Sequence, residues 1–496
     1  MEVMTTTKKS KSIILILAIL AILSVAFCAY RLLTMNMNST KATLVLYDGP
    51  KLLRPAADTK ISVNGNELFV YDAPVNNTHK WVQSGNPPMD HTPMTYFDFE
   101  GKAKIKIELP EITSLSDIKI SPASEGIKPE VNGKTISFII SKPDMYTVEY
   151  NKSVKRAIHI FANPLETNIP DKNDKNVIYL GPGLWNMDTV PLESGQTLYI
   201  SGGAVVYGTV RAENAENVKV LGRGIIDGSL WSSWTNKGQT AKVPIDFVHS
   251  KNITVDGIIL MNPNAWTFNS LGCENANINN IKIISARQNG DGITLQSCKN
   301  FKITNSFVRS WDDSLVVKNY EGNSDNITFD NIKVWTDLAQ SCEIGYETNK
   351  GKKSNAIISN ITFNNITVLH NFHKPVISIH NSDNAMVQDI RYNNIVVEDA
   401  QMGSGDAGAN DQLIDFNIAA SSWSSTGERG HIKNVTVENV KILSGKAAPS
   451  RILGYDKEHG IENIKIKGMN ILGKDIKNAA DAKLSTNEFV SNLIIE

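Results

Sequence analysis

A chain of 496 residues is longer than a typical single domain, and its 50 basic against 51 acidic side chains leave a formal net charge of −1. The charges are interspersed, which excludes the clustered basic face that nucleic acid or an anionic membrane surface would demand. Modest proline with abundant Asn, Ile and Val excludes a disordered chain and points to a β-rich globular protein.

At the N-terminus Lys8, Lys9 and Lys11 precede an apolar run from Ile13 to Tyr30 that only Ser24 interrupts. A positive region followed by such a segment predicts entry into the export machinery. Its 18 residues are long for a signal-peptide core and just enough to span a bilayer. Residues 1–35 are therefore expected to be a signal peptide, with a marginal cleavage site at Ala26-Phe27-Cys28, or an uncleaved anchor. Either way the rest of the chain is expected outside the cytoplasm, secreted or held to the membrane by this segment alone. Cys273, Cys298 and Cys342 make an odd set without zinc spacing, so neither a disulfide framework, a metal nor a cofactor is expected.

Residues 36–163 alternate apolar and polar positions in short runs: Ala42 to Tyr47, Glu67 to Tyr71, Lys104 to Glu108, Ile118 to Ile120, Thr135 to Ile140 and Tyr146 to Tyr150. Turn signals such as Asn64-Gly65-Asn66 and Asn132-Gly133 separate them, which predicts a small antiparallel β-sandwich. Residues 164–176, rich in Asp, Lys and Pro, read as a linker.

From Val177 to the C-terminus at residue 496 the texture becomes a loose repeat of Asn-Ile-x-Ile/Val/Phe. Copies start at Asn217, Asn252, Asn277, Asn300, Asn326, Asn360, Asp389, Asn434 and Asn463. Irregular repeats of this length, without a helical period, predict a parallel β-helix (a solenoid) with Asn at a recurring left-handed corner. Cys273 follows Asn252 by 21 residues and Cys298 follows Asn277 by 21, so the two thiols should stack on neighbouring coils.

The same counting places three carboxylates. Asp291 follows Asn277 by 14 residues, and Asp312 and Asp313 follow Asn300 by 12 and 13. Trp266 follows Asn252 by 14, so an aromatic is expected beside them, with Trp335 and Tyr346 on the following coil. Carboxylates flanked by aromatics suit a sugar site, since pyranose faces stack on rings. Crowded acids also raise one another's pKa, which supplies the protonated group that glycosidic cleavage needs. Solvated acids at turns, or calcium ligands, are the alternative for such a pair.

Asn289-Gly290-Asp291 and Trp311-Asp312-Asp313-Ser314-Leu315-Val316-Val317-Lys318 resemble motifs of the polygalacturonase superfamily. That superfamily comprises right-handed parallel β-helix enzymes, glycoside hydrolase family 28 with its dextranase and isopullulanase relative, family 49. The segments from Gly202 to Gly208 and from Gly222 to Gly228 are similar to early coils of these enzymes, and an N-terminal sandwich resembles family 49. The resemblance implies an inverting single displacement, with Asp312 as general acid and Asp291 and Asp313 positioning water. One coil spacing between carboxyls, roughly 5 Å, would by the general distance rule fit retention instead.

The departures bear on substrate. Gln340 stands where polygalacturonases carry the His of Gly-His-Gly, and Ser378-Ile379-His380 stands in place of Arg-Ile-Lys. Losing both cations points away from a uronate and toward a neutral polysaccharide such as an α-glucan, with pectin as the alternative. Trp266, Asn289, Trp311, Lys318, Tyr346, Glu347 and His380 are candidate substrate-binding residues. His370 and His373 are read as incidental loop residues. The partner expected is the polysaccharide alone, with the protein acting as a monomer. A β-helix polysaccharide lyase and a non-catalytic carbohydrate-binding solenoid are the rival classes.

Overall fold

A computed structural model describes residues 42–76, 89–234, 241–403 and 411–496. The expected signal segment lies outside the described residues, as do residues 404–410. Among the described residues, no helix is long and apolar enough to cross a membrane.

The chain forms a right-handed parallel β-helix, whose successive coils join in one 28-stranded sheet, preceded by two smaller sheets. The Asn corners behave as their chemistry requires. Asn217, Asn252, Asn300, Asn326, Asn360, Asp389, Asn434 and Asn463 all hold a positive φ, which Asx side chains tolerate. Their amides stack along the axis: Asn275 Nδ2 donates to Asn252 Oδ1 at 3.3 Å and Asn300 Nδ2 to Asn275 Oδ1 at 2.9 Å.

One register differs from expectation. Asn275, not Asn277, is the corner residue of its coil, while Asn277 lies within the strand Glu274–Asn279 opposite Lys302. A second ladder runs through Asn280, Asn305, Asn331, Asn365, Asn394 and Asn439, so each of these coils turns on two Asx residues. Inside, Ile, Val, Leu and Phe stack in a continuous core, with each fully buried side chain contributing about 1.5–3 kcal/mol. Cys273 and Cys298 meet there as predicted. Both are buried, and the pairing of Glu274 with Lys299 brings them to matching positions on adjacent coils.

The N-terminal sheets, of six and five strands, share one core that includes Val63, Phe97, Ile105, Phe138 and Ile160. Two long central strands, Asp90–Glu100 and Ser153–Asn163, run parallel to each other, contrary to an all-antiparallel expectation. Both carry buried side chains on both faces. Phe97 and Phe99 face the core that the two N-terminal sheets share, whereas Met94, Tyr96 and Phe161 pack on Val205, Ile225, Ile284, Phe307 and Trp335 of the solenoid.

That second core fuses the two parts, and buried ions reinforce it. Arg223 Nε bonds both carboxylate oxygens of Asp98 at 3.1 Å, and Lys333 Nζ meets Asp144 Oδ1 at 2.5 Å. His370, in the strand Ile357–Asn371 and 2% exposed, bridges Glu149 at 2.7 Å and Asp399 at 2.8 Å. It is thus a junction residue, not an incidental loop histidine. Trp335 is fully buried at the same junction under Arg309, 4.3 Å from its ring, and so does not flank the acids.

Candidate active site

The floor of the site is a ladder of short parallel strands: Phe268–Leu271, Ile293–Gln296, Leu315–Lys318, Cys342–Tyr346, Ile377–Asn381 and Ile414–Ile418. Phe268 pairs with Ile293, Ile293 with Leu315 and Leu315 with Cys342. Stepping back two residues from each places Trp266, Asp291, Asp313 and Gln340 at one position on four successive coils. Backbone bonds continue into that turn. Gly292 N donates to Asp313 O at 2.8 Å and Ser314 N to Gln340 O at 2.8 Å.

The motif glycines allow this approach. A Cβ on Gly290 would lie 2.0 Å from Ser285 Oγ, and one on Gly292 would lie 2.4 Å from Ser314 O. Asn289, at φ 56°, makes the turn that delivers Asp291.

Asp291 and Asp313 are 3% and 7% exposed, while Asp312 is only half-buried and is therefore the most open of the three acids. Burial first, then the charge of Asp312, raises Asp291 well above the usual carboxylate range. The same two causes push Asp313 up to about 7. Gln340 N donates to Asp313 Oδ1 at 3.2 Å and Asp313 N to Asp312 Oδ1 at 3.0 Å, which fixes the pair.

From the opposite bank Lys318 reaches across the floor. Its Nζ lies 3.8 Å from Asp291 Oδ2 and 3.2 Å from Glu347 Oε2. Burial opposes its charge, but Glu347 and Asp291 outweigh burial and hold its pKa well above the ordinary lysine value. Tyr320, unremarked in the sequence, donates its hydroxyl to Glu347 Oε1 at 3.1 Å.

Next along the axis, Tyr346 stacks on His380 at 4.3 Å with the planes 1° apart. Gln340 Nε2 lies 3.3 Å from Tyr346 Oη, which links this pair to the acids. His380 sits between Glu343 at 2.8 Å and Asp415 at 3.0 Å, and Arg451 grips Asp415 through two bonds of 2.7 Å. Burial alone would depress the imidazole; Glu343 and Asp415 outweigh it and raise His380 to about 10.

The expected residues thus converge, with two distinctions. Trp266 is half-buried and pairs with Trp234 at 5.9 Å, forming an aromatic wall beside Asp291. Trp311 is buried, 3% exposed, with its indole Nε1 lacking a hydrogen-bond partner, so its ring offers no open face to a sugar. Sequence reasoning missed Glu343, Asp415, Arg451 and Tyr320. The first three become visible only by aligning strand starts, since Val316, Glu343, Ser378, Asp415 and Arg451 then share one position. Among the described residues, no group of three or more His, Cys, Asp or Glu side chains is arranged to hold a metal.

The arrangement places acids in like-charged proximity beside a lysine and aromatic rings at one edge of the floor. Structurally the chain is similar to Dex49A from Penicillium minioluteum, with a TM-score of 0.64 at 16% identity over 91% of this chain and 96% of that one. In sequence it is 24% identical to the "Exopolygalacturonase clone GBGE184" of Arabidopsis thaliana over 48% of this chain, a match that spans only 57% of that relative. It is 22% identical to the "Probable endopolygalacturonase D" of Neosartorya fischeri, over 67% of this chain and 69% of that relative. The family model described as "Glycosyl hydrolases family 28" matches residues 187–488, more than half of the sequence. The chain belongs to glycoside hydrolase family 28.

Proposed function

We propose that the protein is an exported hydrolase that cleaves a polysaccharide by single displacement with inversion. The observation that carries this reading is the convergence of Asp291, Asp312 and Asp313 at one edge of the floor. In this reaction Asp312 gives its proton to the glycosidic oxygen of the leaving sugar. Asp291 and Asp313 hold a water on the other side and take its proton as it attacks the anomeric carbon.

Exposure and the neighbouring lysine support the division of labour. A leaving sugar's oxygen can be reached only by the most open member of the cluster. Asp312 is that member. Lys318, held by Glu347, offsets the charge that Asp291 would carry as a base.

A neutral polysaccharide, such as an α-glucan, is the preferred substrate. A uronate carboxylate needs a cation with donors to spare. Here Lys318 is engaged by Asp291 and Glu347, His380 by Glu343 and Asp415, and Arg451 by Asp415. A second reading, hydrolysis of pectin, draws support from the sequence relatives named as polygalacturonases.

A panel of dextran, pullulan, polygalacturonate and rhamnogalacturonan tests both. New reducing ends on a neutral glucan support the first reading, and reducing ends on polygalacturonate alone support the second. Ultraviolet-absorbing unsaturated ends would mean a lyase. Proton NMR of the first-formed anomer tests inversion: retained configuration contradicts the single displacement.

A further inference from the structure

Among the exposed large hydrophobic side chains of the described residues, only two are aromatic: Trp423, 54% exposed, and Tyr455, 48% exposed. They fall on neighbouring loops. Trp423 lies in the loop after the floor strand Ile414–Ile418, and Tyr455 in the loop after Ser450–Leu453, which pairs with that strand. This is the bank of the groove that also carries Tyr320, Tyr346 and Glu347.

The Trp423 loop is firmly held. Asp383 Oδ1 accepts from Ser425 N at 2.6 Å, Thr426 N at 2.8 Å and Thr426 Oγ1 at 3.1 Å. Ser424 Oγ donates to Ser382 O at 2.7 Å, and Ser382 Oγ donates to Tyr346 O at 2.7 Å. The indole is therefore presented from a scaffold that Ser382 links to the floor residue Tyr346. On the next loop, Tyr455 N donates to His459 O at 2.9 Å, and the Tyr455 ring lies edge-on to His459 at 6.3 Å.

An exposed ring on an ordered loop stacks on a ligand with little further loss of conformational freedom. Trp423 stands three coils beyond Asp313, about 14 Å along the axis at the usual strand spacing. That distance is covered by a few sugar residues of a chain lying in the groove. We propose that Trp423 and Tyr455 form a distal binding platform that stacks on the pyranose faces of the polysaccharide beyond the cleavage point. The proposal rests on the hydrolase reading for the nature of its ligand. It makes the groove longer than the catalytic coils and favours polymeric over short substrates.

The test uses Asp312→Asn as a binding form and runs native affinity gels containing dextran, pullulan, polygalacturonate or rhamnogalacturonan. One polysaccharide is expected to retard Asp312→Asn, and adding Trp423→Ala with Tyr455→Ala should weaken apparent binding about tenfold. Trp423→Phe should restore part of it. In the active enzyme the double alanine variant should raise KM on the polymer with kcat unchanged, and leave kinetics on its trisaccharide unaltered. Equal retardation with and without the two rings, or no retardation on any gel, overturns the platform. Full activity of Asp312→Asn would instead overturn the catalytic reading, so the two failures are told apart.

Discussion

Asp291 and Asp313 occupy the same position on successive coils, joined by the hydrogen bond from Gly292 N to Asp313 O at 2.8 Å. Their side chains are buried next to Asp312, and this placement sets both their chemistry and its cost. Like charges one strand spacing apart in a poorly solvated turn resist joint ionisation.

The cost is measurable as a pH dependence of stability. Burial and the charge of Asp312 lift Asp313 to about 7. A carboxyl raised in the native state stabilises the fold while protonated. That contribution is complete below its unfolded value of about 4 and is lost as the pH rises through about 7. Asp313→Asn removes this slope and should be more stable than wild type by about 1–3 kcal/mol at pH 8, with a smaller difference at pH 4. Thermal melts at the two pH values check it. As a base Asp313 must be ionised, so kcat/KM of the wild type should climb through about pH 7.

Lys318→Met should be costly. It leaves Asp291 and Glu347 buried without their shared cation, a loss of about 3–5 kcal/mol. It also removes the charge that eases ionisation of Asp291, so the acidic limb of the pH–rate profile should shift upward. Denaturant titration and the profile together separate the two effects. A Glu347→Gln, Lys318→Met pair should show strong coupling in a double-mutant cycle.

His370 fastens the N-terminal sheets to the solenoid through Glu149. Burial pushes its imidazole down, but the hydrogen bonds to Asp399 and Glu149 outweigh burial and raise it, with Lys119 opposing. Stability from such a raised histidine is full below its ordinary value and is lost as pH climbs through the elevated one. His370→Gln should therefore cost about 2–4 kcal/mol at pH 6 and less at pH 9, judged by denaturant midpoints. An equal cost at both pH values would show that the imidazole stays neutral.

The solenoid was legible because its corners demand a residue tolerant of positive φ, and Asn252, Asn300 and Asn326 supply it at visible intervals. Asn277 misled by two residues, since Asn also occupies the strand Glu274–Asn279 and its motif mimics the corner at Asn275. The acids still fell together, because the positions of Asp291 and Asp313 are set by their own strand starts. Asp90–Glu100 escaped notice because a strand buried on both faces loses the alternation that marks a surface strand. The role of His380 was illegible for a different reason. Its partners Glu343 and Asp415 lie 37 and 35 residues away in sequence, and only stacking of coils unites them.

The most direct test of the central claim is the rate of glycosidic cleavage by Asp312→Asn on whichever polysaccharide the wild type cuts. Asparagine keeps the shape of the side chain and its acceptor to Asp313 N, but it has no acidic proton to transfer. The account predicts a fall in kcat of about 10²–10⁴-fold with an unchanged melting curve. Wild-type turnover by Asp312→Asn, in a folded protein, would contradict it.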